Sequence, residues 1–214
     1  STLLYNPFWT YSQNKIACEE LLVDAYRESG FPMTIVRPSH TYDQTLLPFQ
    51  GRFTIVERMR QGKPVVVHGD GTSLWVLTHH TDFARGFNAL LGNPQAIGQV
   101  FHITSDEWLT WNQIFTTVAA AAGVAEPRLV HIPSEVIARY DAAWGAGLLG
   151  DKAHSMVFDN TKIKRLAPAF GAAYIPFARG AEQIMTWYDA DPRRQVVDAD
   201  FDRMLDTMIA EQNR

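Results

Sequence analysis

The chain has 214 residues, 46% hydrophobic and 20% charged, the balance of a folded protein long enough to bury a core without disulfides or a structural metal. Its one cysteine, Cys18, excludes a disulfide framework and any multi-cysteine zinc site, and makes a reducing, cytoplasmic setting the expectation. A net charge of -4 disfavours nucleic acid as a partner; no apolar run reaches the ~20 residues of a membrane span, and no signal peptide is recognisable.

In chain order the pattern alternates helix-like and strand-like segments, which predicts an α/β fold. Asn6-Pro7 reads as a helix start, with the helix running to Ser29 and stopped by Gly30. Phe31 to Arg37 is an apolar run that suits a strand buried on both faces of a parallel sheet. A long loop is expected over Pro38 to Gly51, then a short helix from Phe53 to Gln61 closed by Gly62. Strands are expected at Pro64 to His68 and Leu74 to His79, around a Gly69-Asp70-Gly71 turn. Thr81 is expected to cap a helix to Leu91, and Gln99 to Thr104 to return as a strand. Thr110 and Gln113 form a capping box for a helix ending at Gly123. A strand at Arg128 to Ile132, a helix from Ser134 to Trp144, a strand at Met156 to Asp159 and helices at Pro176 to Tyr188 and Ala199 to Ala210 complete the pattern.

Tyr11 and Lys15 form a Y-x-x-x-K on the first helix, and the i to i+4 spacing puts phenol and ammonium on one face, one turn apart. An ammonium beside a phenol favours the phenolate, which equips the pair for general acid/base work. After it come, in order, Ile35-Val36-Arg37-Pro38-Ser39-His40-Thr41-Tyr42, His68-Gly69-Asp70-Gly71-Thr72, His79-His80-Thr81-Asp82-Phe83-Ala84, and Val100-Phe101-His102-Ile103-Thr104-Ser105 leading into the Thr110 cap.

This succession, from Tyr11 to about Tyr188, resembles the extended short-chain dehydrogenase/reductase superfamily, in its NAD-dependent epimerase/dehydratase group. The resemblance implies a partial Rossmann-like doubly wound sheet plus a smaller C-terminal α/β substrate-binding domain. Residues 1–62 would be the remnant of the NAD(P)-binding domain. Residues 63–214 would be mainly the substrate domain, with interleaved elements returning to the sheet. It implies Tyr11 as acid/base, Lys15 as the group that orients the nicotinamide ribose, and Pro38, Ser39 and His40 as contacts to nicotinamide and substrate. The cofactor would be NAD or NADP, the partner a small-molecule substrate, and the expected assembly a homodimer or other self-association. The family opens with a glycine-rich turn that holds the cofactor pyrophosphate. Ten residues before Tyr11 leave no room for it, so the chain reads as the C-terminal portion of a larger enzyme. Ser1 and Thr2 stand too near Tyr11 to be the family's catalytic Ser or Thr.

Gly145-Ala146-Gly147-Leu148-Leu149-Gly150 matches G-x-G-x-x-G in letters only: a helical pattern precedes it where the dinucleotide motif requires a strand, so a flexible loop near the substrate is expected. His79 and His80, adjacent on a strand, should point to opposite faces, so no metal site is expected. His68, His102 and His131 read as structural histidines, and Cys18 as a buried small residue.

Where nucleotide-sugar members carry a phosphate-gripping arginine after the Gly-Asp-Gly turn, this chain has Trp75; before Asp159-Asn160-Thr161-Lys162, where a second is expected, stand Lys152 and His154. Loss of a bidentate guanidinium is not conservative. The substrate-contacting set is therefore His40, Arg52, Trp75, Lys152 and His154, with a small or aromatic uncharged compound favoured and Trp108 and Trp111 as further aromatic candidates. Arg58 and Arg60 are the other cations that could supply a phosphate grip. The competing reading is a non-catalytic relative of the chloroplast stem-loop RNA-binding type, which shares the fold. The acidic balance and the Tyr11/Lys15 pair favour the enzyme.

Overall fold

A computed structural model describes residues 5–171 and 174–212; Ser1 and Thr2 lie outside it. The first helix, α1, spans Thr10–Ser29. It starts later than the Asn6-Pro7 pair predicts, because Asn6 is used elsewhere. Its side chain accepts the Phe8 N–H and donates to the Gly150 carbonyl at 2.7 Å, tying the entry turn to a distant segment. The stop is as expected: Gly30 takes φ 70°, and its N–H bonds back to the last turn. No residue of α1 is buried, and Cys18 is exposed rather than packed. The helix is instead attached to the next strand by an ion pair from Glu19 to Arg37.

That strand, β1, covers Thr34–Pro38, three residues later than the apolar run begins, and β2 covers His40–Tyr42 inside the segment expected to be a loop. Burial alternates along β1, with Met33 and Ile35 inside and Val36 and Arg37 half-open, so it is not enclosed on both faces. The helix α2 is Phe53–Arg60. The strand β3 is Val65–His68, while the run from Leu74 divides at Val76 into β4, Leu74–Trp75, and β5, Leu77–His79. The division lets one run serve two sheets.

The helix α3 is His80–Leu90, and its cap is the His79 imidazole, which accepts the Thr81 N–H, rather than Thr81 itself. The strands β6, Gln99–Ile103, and β7, Leu109–Thr110, lead to α4, Trp111–Ala121, opened by the expected Thr110/Gln113 capping box. Next come β8, Leu129–Ile132, and α5, Ser134–Tyr140. The predicted helix to Trp144 breaks at Asp141, whose carboxylate accepts the N–H groups of Ala143 and Trp144 and so starts α6, Ala142–Gly147. A π-helical turn over Leu148–Lys152 continues from it. Met156 to Asp159 forms no strand; only the Met156 N–H reaches across, to the Leu74 carbonyl. The helices α7, Thr161–Leu166, α8, Phe177–Asp189, and α9, Ala199–Gln212, follow.

The strands pair as β1 with β6, β2 with β5 and β3 with β8, all parallel, and β4 with β7 antiparallel. Parallel pairing with helical crossovers is what an α/β pattern requires. Ser39 joins β1 to β2, and its hydroxyl meets Thr78 Oγ1 on β5 at 2.6 Å; Thr78 in turn accepts the Ser105 N–H. The C-terminal end of the β1–β6 pair is thereby joined to the β2–β5 pair. Two apolar cores result. The smaller gathers Leu90, Phe101, Ile103, Ile163 and Phe170 around β6. The larger packs β2, β3, α2, α4, α8 and α9 together through residues such as Tyr42, Val66, Ile114, Ile184 and Leu205.

Candidate active site

Tyr11 and Lys15 lie on the first two turns of α1, and the Lys15 ammonium sits 5.6 Å from the centre of the Tyr11 ring. Tyr11 is 56% exposed. The Trp9 ring packs on its other side, 4.9 Å between centres. Both side chains line a cleft of about 740 Å³, whose other walls include Pro38, Ser39, His40, Trp75 and Lys152. Seven of the nine residues expected from the sequence thus share one cleft. They come from α1, the β1–β2 junction, β4 and the π-helical turn, beside the C-terminal end of the parallel strand β1, the kind of place where α/β folds bind ligands.

Trp75 is 6% exposed and does two things at once. Its ring packs against Trp111 in the larger core, and its indole N–H donates to His40 Nδ1 at 3.3 Å. His40 is pushed down to about 4 by burial, with the Lys152 charge adding to the effect. The Lys152 ammonium stands 5.3 Å from the Trp9 ring centre and 5.8 Å from that of Trp75, with Asp151 at 3.9 Å. Burial lowers the Lys152 pKa and raises that of Asp151. The Lys152 backbone is held firmly, since its carbonyl accepts from the Trp111 indole, the Ser73 hydroxyl and His68 Nε2. His68 is likewise pushed down to about 4, chiefly by burial.

Arg52 lines a second cavity of about 290 Å³, which shares Trp9, His40 and Lys152 with the first. Arg52 is the one non-glycine residue with positive φ among those described, at 46°. His154 stands in neither cavity. It donates to the Leu149 carbonyl and borders a groove along α1 that also includes Lys15. Arg58 and Arg60 do not face either cavity as phosphate grips: Arg58 is 1% exposed and bound to Asp202 and Asp206, and Arg60 pairs with Asp189 and Glu57. Trp111 is buried, whereas Trp108 is exposed and away from both cavities. The Gly145–Gly150 segment is helical rather than a loop; Gly147 nonetheless borders the second cavity. His79 and His80 do not point apart: their ring centres are 4.4 Å from each other, because the strand ends at His79 and the helix begins at His80. Sequence reasoning missed Trp9 and Asp151, whose neighbours Tyr11 and Lys152 were the available signals.

A nicotinamide cofactor fits the donor set on the cleft's α1 side. Tyr11, with its phenol, Lys15, with its ammonium, Pro38 and Ser39 line one space large enough for a ribose and a ring.

Residues 1–104 match the model of the NAD dependent epimerase/dehydratase family. The chain is 29% identical over 120 residues to the chloroplast stem-loop binding protein of 41 kDa b of Arabidopsis thaliana, covering 56% of this chain and 30% of that protein. It is 27% identical over 176 residues to the 2'-dehydrokanamycin reductase of Streptomyces kanamyceticus, covering 77% of this chain and 47% of that one. Among solved structures, the UDP-glucuronic acid 4-epimerase of Bacillus cereus in complex with UDP-glucuronic acid and NAD superposes with a TM-score of 0.65 at 20% identity, covering 82% of this chain and 51% of that one. The chain spans less than half the length of the curated relatives it matches. Residues 1–104 are thus similar to the NAD dependent epimerase/dehydratase family, and the chain has the Rossmann-type α/β fold of the epimerase and dehydratase structures it superposes on.

Proposed function

We propose that the whole protein is an NAD(P)-dependent reductase, epimerase or dehydratase acting on a small or sugar-like carbonyl or hydroxyl compound, with Tyr11 as acid/base and Lys15 as its partner. The observation that carries this reading is the convergence of Tyr11, Lys15, Ser39 and His40 on one cleft. When bound there, the nicotinamide would supply hydride transfer. Tyr11 would give or take the proton at its phenolic oxygen, and the Lys15 ammonium beside the ring would stabilise the phenolate that this leaves. Lys15 would also hold the ribose hydroxyls, and Pro38 and Ser39 would border the nicotinamide. The pyrophosphate-binding turn would come from the part of the protein that its longer relatives have and this chain does not span.

We further propose that α1, β1, β6 and α3 are the chain's share of the cofactor domain, and that the larger core, which already includes Tyr42 and α2, is the substrate domain. This moves the boundary expected at residue 62 back to the β1–β2 junction. A cytoplasmic setting and a homodimer remain part of the proposal. Among the described residues, no helix is long and apolar enough to cross a membrane.

The stem-loop binding relative favours a second reading, an RNA-binding protein. The acidic net charge counts against it. One experiment separates the two. In the whole protein, Tyr11→Phe is expected to lower NAD(P)H-linked turnover by about 10²–10⁴-fold with cofactor affinity unchanged, whereas Lys15→Ala should lower both. Absence of NAD(P)H-linked turnover in the wild type, with retention of RNA, would favour the second reading, and full activity of Tyr11→Phe would overturn the role of Tyr11.

A further inference from the structure

We propose that His40 is the specificity-determining residue of the cleft, a hydrogen-bond donor set by the Trp75 indole that selects an uncharged carbonyl or hydroxyl oxygen over a phosphate. The proposal rests on the reading of the cleft as a substrate site. Its first support is geometric. The Trp75 indole has a donor and no acceptor, so in the 3.3 Å contact His40 Nδ1 must be the acceptor. An imidazole that accepts at Nδ1 carries its one proton on Nε2. The rings meet edge to face at 89°.

The second support is position. His40 lines both cavities, so it stands beside the space a substrate would occupy. No hydrogen bond involves its Nε2 among the described residues. Burial, reinforced by the Lys152 charge, keeps the ring neutral.

The third support is the treatment of charge. The adjacent cation, Lys152, lies against the Trp9 and Trp75 rings with Asp151 beside it, so its charge is already balanced. At His40 and Trp75 a pyrophosphate oxygen would meet a neutral imidazole and an indole, not a guanidinium, and of the cations that line the two cavities Arg37 and Lys152 are already paired with Glu19 and Asp151. A neutral oxygen would gain one hydrogen bond at little cost. Trp75 is then a positioning residue that acts through His40.

The test uses the whole protein with NADH present. Its two probes are cyclohexanone, an uncharged ring carbonyl, and UDP-glucose, a sugar on a pyrophosphate. Nitrogen-15 spectra of the histidine side chains should show His40 protonated at Nε2 alone at neutral pH, and a mixture of the two tautomers in Trp75→Phe. A wild-type ring protonated at Nδ1, or a Trp75→Phe spectrum identical to wild type, overturns the proposal whether or not Tyr11 proves catalytic. Cyclohexanone should bind more tightly than UDP-glucose. His40→Phe should weaken cyclohexanone binding about tenfold and His40→Gln, which keeps a neutral N–H donor, should restore most of it. UDP-glucose binding more tightly than cyclohexanone to the wild type would also overturn it.

Discussion

Gly180 in α8 has no room for a side chain: a Cβ there would lie 2.1 Å from the Tyr42 hydroxyl oxygen. That hydroxyl is buried without a partner among the described residues, while the Tyr42 ring packs edge to face on Phe177 and His79. Alanine in a helix interior is ordinarily about 1 kcal/mol better than glycine. Here Gly180→Ala is expected to destabilise by about 1–3 kcal/mol through overpacking. Tyr42→Phe removes the unpaired oxygen and is expected to be neutral or stabilising. Combining the two should recover part of the loss, since they share one contact. Urea unfolding of the three variants measures all of this. At this scale the Tyr11/Lys15 pair was legible because helical geometry alone brings positions four apart together. The Trp75–His40 bond was not, since 35 residues separate its partners.

At the scale of elements, the helix α2 is held by an arginine that sequence reasoning had placed near a phosphate. Arg58 donates to the Pro64 carbonyl before β3, to the Asp202 carbonyl and carboxylate, and to Asp206 on α9. It therefore joins α2, the entry to β3 and α9 from the inside. Lys63 adds a second cation on Asp202. The Asp202 carboxyl is held below the usual range by its two cations, against the opposing effect of burial. Arg58→Ala would leave a partly buried carboxylate and two carbonyls short of donors, and is expected to cost about 3–5 kcal/mol. Arg58→Met, of similar volume, should cost less. Urea denaturation measures the order, and activity per folded molecule should be unchanged in both. The helix existed in the sequence as a periodic pattern closed by Gly62; its partner did not, because α9 lies 144 residues away from Arg58.

For the whole molecule, acid should be destabilising well before carboxylates titrate. His40 and His68 are both pushed down to about 4, mainly by burial, against about 6.5 in an unfolded chain. Between those values the unfolded chain binds more protons than the folded one, so stability falls as pH falls. The contribution is fully present above about pH 6.5 and is lost toward pH 4, at up to about 1.4 kcal/mol per pH unit for each histidine. Thermal unfolding should therefore show a falling Tm between pH 7 and pH 4.5. His68→Gln, which keeps a donor toward the Lys152 carbonyl, should flatten that slope. A slope unchanged in the variant would place the acid sensitivity elsewhere.

By itself the sequence determined the α/β class, most helices and strands, the capping box at Thr110, the glycine stops and the family resemblance, because those features rest on short-range periodicity and the order of motifs along the chain. Only the tertiary structure decided which cations face a ligand, how Lys152 is surrounded, why Cys18 is exposed and where α1 begins. Each of those depends on partners far away in sequence. Asn6 is drawn to Gly150, Arg58 to Asp202, and Lys152 to Trp9 and Trp75. A side chain's charge state and accessibility follow from what packs around it, and that packing is settled only when the whole chain has folded.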